Sequence, residues 1–219
     1  MTEEGFEKKV ASRIENEKIL EKRRSQIVQA ASSLFAKKGY HKATMRELSS
    51  ESGINLSQLY NYISSKDDAL FFFYKFIYEE LTTAFVDFGE SRIESSRDKL
   101  VYLMSRQLEI IHEHQNAFRT MYTESRHLEK DSLRAVLSME SKHIARVEKI
   151  ISQGIQEGVF KPCDPYFAAN VINYLFLMEP LRGWSIRKQY SFPEFSEALI
   201  NLVLDFLGAE RKHSGPDAP

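Results

Sequence analysis

Residues 44–70 read TMRELSSESGINLSQLYNYISSKDDAL, a stretch dense in start and stop signals. Thr44 stands three residues before Glu47, the spacing of a capping box, which satisfies two free amides at a helix start. The helix it opens runs to about Ser52, where Gly53 supplies the left-handed backbone that turns the chain. Asn55 is a good N-cap for another helix through about Tyr62. Ser65 with Asp68 repeats the capping-box spacing at the next start. A helix of barely two turns is marginal by itself, so its neighbours must hold it. Leu48, Ile54, Leu59 and Ile63 are spaced to interlock the two short helices against a preceding one. That helix builds from about Glu17, places Ile27, Ala31, Leu34 and Phe35 on one face, and stops at Gly39. Two helices joined by a short glycine-containing turn make a helix-turn-helix.

The remaining sequence extends the same pattern. With 219 residues, 42% hydrophobic and 28% charged, the chain suits one or two domains with a real core. Nine glycines and six prolines are few, and long β-branched runs are absent, so an all-α fold of about nine helices is expected. A fourth helix covers about 66–92, with others at about 97–114, 117–128 and 131–157. Residues 158–165, GVFKPCDP, read as a loop. A long apolar helix over 166–188 is expected to kink at Pro180, and a last helix covers 191–208, with Pro193 near its first turn. The expected organisation is an arm at 1–16, a helix-turn-helix domain at 17–65, a helical body at 66–208 and a disordered tail at 209–219.

Composition narrows the chemistry. Cys163 is the single cysteine, which excludes an internal disulfide and a cysteine-built metal site. His112 and His114 stand at i, i+2, on different faces of a helix, so no metal ligand is assigned. The N-terminal 24 residues lack the apolar core of a signal peptide. No apolar run approaches the roughly 18 residues of a membrane span, so a soluble cytoplasmic protein without membrane contact is expected. Residues 1–66 hold 12 Lys+Arg against 8 Asp+Glu, and 67–219 hold 18 against 23. A basic head on an acidic body suits an anionic partner at the N-terminal third.

The segment ATMRELSSESGINLSQLYNYISSKDDAL resembles the N-terminal domain of TetR/AcrR-type transcriptional regulators. Thr44, Arg46, Leu48, Gly53, Ile54, Leu59, Tyr60, Tyr62 and Lys66 match the family pattern. Ile63 replaces the usual Phe, and Leu56 and Ser57 fall where recognition residues vary. The resemblance implies that Asn55, Leu56, Ser57, Gln58 and Asn61 line a reading helix in the major groove of a double-stranded operator. A Gln can pair with adenine there. Arg46 would reach a guanine edge. Thr44, Tyr60, Tyr62 and Lys66 resemble phosphate clamps, which fix register without reading sequence. The competing account of each residue singly makes Tyr60 and Tyr62 packing residues, Thr44 a cap and Lys66 a solvated charge.

Regulators of this type dimerise through their last two long helices, so a homodimer is implied. Their middle helices enclose a small effector. Candidates for the wall are Phe76, Met104, Leu108, Phe118, Met121, Tyr122, Arg126, Tyr174, Met178 and Trp184, against the plainer account that aromatic and Met residues at helical spacing are core. MYTESRHL, ISQGIQEGVF and MEPLRGWSIRK are similar to a subset of the family that answers to fatty acyl-CoA or related thioesters. The implied function is a repressor released by a small, largely apolar effector. The alternatives are a ligand-independent DNA-binding regulator or activator, and an enzyme on a helical bundle. Against the enzyme, the chain has no Gly-x-Ser-x-Gly elbow, Gly-rich phosphate loop or His-Glu-x-x-His, so no catalytic residue and no cofactor are assigned.

Overall fold

The apolar spacing of the N-terminal region produces the helices it implies. A computed structural model describes residues 8, 10, 14, 16–90 and 93–209, without the side chains of 84, 86–90 and 117. Helix α1 spans Glu17–Lys38, capped by the Asn16 side chain and closed by Gly39 at φ 79°. Helix α2, Met45–Ser52, opens on the Thr44–Glu47 capping box and ends at Gly53, whose φ of 66° is the left-handed region that favours glycine. Helix α3 follows at Leu56–Leu59. Ile27, Ala31, Phe35, Leu48, Ile54, Leu59 and Ile63 are all buried, and burying each of the larger side chains, Ala31 aside, contributes about 1.5–3 kcal/mol. Ser49 Oγ donates to the Ile54 carbonyl at 2.6 Å and closes the turn between α2 and α3.

The reading helix is shorter than expected. Beyond Leu59 the chain tightens: the amides of Asn61 and Tyr62 donate to the Gln58 and Leu59 carbonyls at 2.9 and 3.0 Å. These i→i+3 bonds wind the backbone more steeply than an α-helix. They end with Tyr62 and Ile63 turned into the core.

The rest of the described chain is helical: α4 Lys66–Glu90, α5 Ser96–Glu113, α6 Gln115–Glu124, a 3-10 turn Ser125–His127, α7 Lys130–Gln156, α8 Pro165–Leu175, α9 Met178–Ile186 and α10 Phe192–Leu207. The single kinked helix expected at 166–188 is instead two helices. Pro180 lacks an N–H, and its ring would meet the Phe176 carbonyl four residues back. The helix therefore breaks at Phe176–Leu177, and Pro180 lies in the first turn of α9, where a missing donor costs little. This division raises the expected nine helices to ten α-helices among the described residues. Of the expected arm, only Lys8, Val10, Ile14 and Asn16 are described. Of the expected tail, 210–219 lie outside the described residues.

Contacts divide the chain into two units, Met1–Thr82 with His114–His143, and Thr83–Glu113 with Ile144–Pro219. In the first unit α1 packs on both α2 and α6. A buried ionic node joins the start of α4 to the start of α7. Asp67 accepts from the Glu129 amide at 2.8 Å and from Ser132 Oγ, and Lys8 Nζ donates to Asp67, Asp68 and Ser132 at 3.0, 2.7 and 2.7 Å. Burial disfavours the Lys8 ammonium, but the hydrogen bonds to Asp68 and Asp67 outweigh it and hold its pKa above the usual value. In the second unit α5 packs on α9 and α10. Its first turn is capped from a distance by Glu157, which accepts from the Ser96 amide at 3.0 Å and from Ser96 Oγ at 2.8 Å.

Leu59 is fully buried and has α3 as its whole helix. Leu59→Ala is expected to cost about 2–5 kcal/mol and to lower the urea midpoint of the N-terminal helices. Circular dichroism of the full chain measures this.

Candidate nucleic-acid interface

The outer face of α2, the turn and α3 collects the polar side chains expected to meet DNA. Thr44, Arg46, Asn55, Ser57 and Gln58 are exposed, and Leu56 and Asn61 are half-buried. The cap at Thr44 is fully formed: its amide donates to Glu47 Oε2 at 3.0 Å, and the Glu47 amide donates back to Thr44 Oγ1 at 3.3 Å. Lys38 on α1 also bonds Glu47. Lys38 first, then Thr44, holds the Glu47 carboxyl below the usual carboxylate range. Ser33 Oγ and Lys37 Nζ donate to Glu51 at 2.7 and 3.1 Å. Helix α2 is thus set against α1 by polar contacts at both of its ends. Asn55 Oδ1 accepts from the amide and the hydroxyl of Ser57, both at 2.9 Å. This fixes the first turn of α3 and commits Asn55 and Ser57 to each other.

Tyr60 and Tyr62 part company. Tyr60 is 49% exposed, whereas Tyr62 is 8% exposed and packs in the core. Of the two, only Tyr60 has its ring on the surface. Lys66 is placed inward as well. Its Nζ donates to the Tyr40 and Ala43 carbonyls at 2.7 and 3.0 Å and lies 4.2 Å from the Tyr40 ring centroid. Burial pulls its pKa below the usual value. Residues 40–43 are the turn that delivers Thr44, so Lys66 braces the approach to α2. No sequence pattern signals this role, because the acceptors are carbonyls about 25 positions away.

The candidate effector-wall residues are split between the two units. In the first, Phe118 and Met121 of α6 are buried, Phe76 of α4 is half-buried, and Tyr122 and Arg126 are exposed. Tyr74 Oη donates to the Met121 carbonyl. Burial raises the pKa values of Tyr74, Tyr78 and Glu140, with Glu140 pushing both tyrosines further. Neither Glu140 nor Tyr74 stands out in the sequence. A lone Glu amid the charges of α7 carries no signal of burial. In the second unit Met104 and Leu108 are buried and Met178 is half-buried, while Tyr174 and Trp184 are largely exposed, at 60% and 65%. Tyr166, Phe167, Leu202 and Phe206 add to the exposed apolar surface of α8 and α10.

His112, set aside as a metal ligand, has its Nδ1 at 2.8 and 3.0 Å from the two oxygens of buried Glu179. Its ring stacks on Phe192, with centroids 4.0 Å apart. It ties α5 to the starts of α9 and α10. Among the described residues no group of three or more His, Cys, Asp or Glu is placed to hold a metal ion, and no helix is long and apolar enough to cross a membrane.

Comparison with known proteins adds to this geometry. The family model "Bacterial regulatory proteins, tetR family" matches residues 27–71, and "Tetracyclin repressor-like, C-terminal domain" matches residues 94–175. The HTH-type transcriptional regulator HbdR of Aromatoleum sp. (strain CIB) is 25% identical over 215 residues, 96% of this chain and 92% of that protein. The fold is shared with AibR, solved in complex with isovaleryl coenzyme A and operator DNA. That match has a TM-score of 0.70 and 17% identity over 82% of this chain and 97% of the other. FadR from Bacillus subtilis in complex with stearoyl-CoA matches with a TM-score of 0.71 and 19% identity over the same shares, 82% and 97%.

Lys66→Met removes the brace beneath the 40–43 turn and is expected to lower stability by about 1–2 kcal/mol. Tyr60→Ala removes an exposed ring and should stay within about 0.5 kcal/mol of the parent. Thermal unfolding of the two variants side by side checks the contrast.

Proposed function

Because the chain belongs to the TetR/AcrR family of ligand-responsive transcriptional regulators, which are DNA-binding proteins rather than enzymes, we propose that it is a homodimeric repressor released from a palindromic operator by a CoA thioester. It binds operator DNA through the helix-turn-helix and dimerises through its C-terminal helices. The reading head uses Gln58, Arg46 and Asn61 on base edges, with Thr44 and Tyr60 on phosphates. A dimer repeats that head on successive groove faces, roughly 34–36 Å apart.

The ligand class rests on one observation: α6 is two-sided. Its inner face buries Phe118 and Met121, surroundings an acyl chain prefers to water. Its outer face carries exposed Arg119, with Arg126 exposed in the turn that follows, and these cations suit the phosphates of coenzyme A. AibR and FadR, which share the fold, were solved with acyl groups of very different length on the same carrier. Glu140, Tyr74 and Tyr78 supply polar anchors within the first unit. An effector that binds better to a conformer with misplaced heads lowers operator affinity by its differential affinity for the two states. A hundred-fold release needs about 2.7 kcal/mol of coupling. Helix α4, which begins at Lys66 beneath the head and contributes to both units, is the lever in this reading.

A gel shift on a duplex recovered by in vitro selection tests the proposal. Stearoyl-CoA or isovaleryl-CoA should release the complex at micromolar concentration, and free CoA should not. Indifference to both thioesters removes the ligand class. Leu202→Glu places a charge on the exposed apolar face of α10. It is expected to give a folded monomer by native mass spectrometry, with at least a ten-fold loss of duplex affinity (about 1.4 kcal/mol).

A further inference from the structure

We infer that His127, at the end of the 3-10 turn, is a positioning residue for DNA recognition, holding the 40–43 turn through one proton shared with His41 and so forming a proton-sensitive latch on the reading head. The inference rests on the DNA-binding reading for its consequence, and on geometry alone for the latch itself.

His41 Nε2 and His127 Nε2 lie 2.9 Å apart, with the rings edge to face at a centroid distance of 3.9 Å. Two imidazole nitrogens at that separation accommodate one proton between them, not none and not two. A third group decides which ring carries it. Arg126 Nε lies 3.1 Å from the same His127 Nε2, and a guanidinium can only donate. His127 Nε2 is therefore the acceptor, its one lone pair shared by Arg126 Nε–H and His41 Nε2–H, and its own proton is on Nδ1. The His127 ring also lies nearly parallel to that of Tyr40, at 5.9 Å and 7°. The turn held in this way is the one Lys66 braces through the Tyr40 and Ala43 carbonyls. It runs directly into Thr44, the cap of α2. The approach to the reading helices is thus held at two points, one by an ammonium and one by an imidazole.

A second proton on His127 breaks the arrangement, whereas one on His41 Nδ1 leaves His41 Nε2–H donating. Protonated at Nε2, His127 would aim an N–H at two donors, His41 and Arg126. The available acceptor is Glu124 Oε2, 3.7 Å away at the end of α6. The ring would turn toward Glu124 and release the 40–43 turn. The groups facing the pair are His41 and Tyr40 from the turn, Lys66 from α4, Glu124 from α6 and Arg126 beside it. Burial first, then His41 and Arg126, hold the His127 pKa below the ordinary imidazole value, with Glu124 opposing and Lys66 reinforcing. The latched form therefore resists the proton that the unlatched form accepts. The latch is fully favoured above about pH 6.5 and weakens as the pH falls from there through the lowered value.

The sign separates this latch from ordinary electrostatics. Charging a histidine near DNA adds a cation and tightens binding to the phosphate backbone, whereas opening the latch loosens it. The test follows affinity of the full chain for an in vitro-selected duplex by fluorescence anisotropy, from about pH 8 to about pH 5.5 at constant ionic strength. Wild-type affinity should fall about five-fold across that range. His127→Gln, whose amide oxygen accepts without titrating, should give a flat profile. Wild-type affinity that holds or rises in acid, or a His127→Gln protein that keeps the fall, overturns the latch. Should His127→Gln misfold, His41→Phe removes the partner and should be flat for the same reason. A wild-type profile abolished by EDTA assigns the pair to a bound metal and also overturns it. Nitrogen-15 NMR of the imidazoles decides the latch independently of DNA: Nδ1–H on His127 with Nε2–H on His41 supports it, and the reverse sinks it. If no duplex is recovered the DNA-binding reading fails, while the NMR result still stands.

Discussion

A four-residue helix cannot hold itself together in water, and everything this protein does with DNA depends on one. Helix α3 exists because Leu59 and Ile63 are fully withdrawn from solvent beneath it, beside Ile54 and Leu48. Nucleating a single turn is unfavourable, and only tertiary packing offsets that cost. The constraint runs outward as well. With its inner face committed to the core, α3 can present Gln58 and Tyr60 in only one orientation relative to α2. The left-handed residue at Gly53 sets the angle between the two helices, and the Ser49–Ile54 hydrogen bond locks it.

Around this small core the head is held by charge rather than by more apolar surface. Lys66 beneath the 40–43 turn, Lys38 on Glu47 and Lys37 on Glu51 each place a cation against α2 or its approach. Lys8 does the same where α4 and α7 begin. The Lys37 and Lys38 pairs lie at the surface and the Lys8 and Lys66 contacts are partly buried, and neither kind adds much net stability. They are directional, however, and misalignment strands a charge. A head that must present side chains at fixed angles gains from that property.

The fold was largely legible in the sequence because its signals are local. Capping boxes at Thr44 and Ser65, the left-handed Gly53 and the apolar spacing of α1 each act within four or five residues, and all formed. The segment 166–188 departs from its expected single helix for a local reason. Proline in a helix interior was expected to bend it, but with Phe176 and Leu177 free to turn, the chain instead ends one helix and begins another. Site residues were less legible. Tyr60 and Tyr62 are two positions apart and alike in chemistry, yet tightening of the backbone after Leu59 sends one outward and one into the core.

The sequence by itself determined the helix-turn-helix, the helical body and the family, because periodicity, caps and turn glycines are written residue by residue. Tertiary structure alone decided that Lys66 points at carbonyls rather than outward, that Lys8 reaches two aspartates some sixty residues away, and that His41 meets His127. Contacts of that kind join positions with no common period and no shared motif. They exist only once apolar burial has brought distant helices together, and nothing in a linear pattern records which polar groups will then be facing.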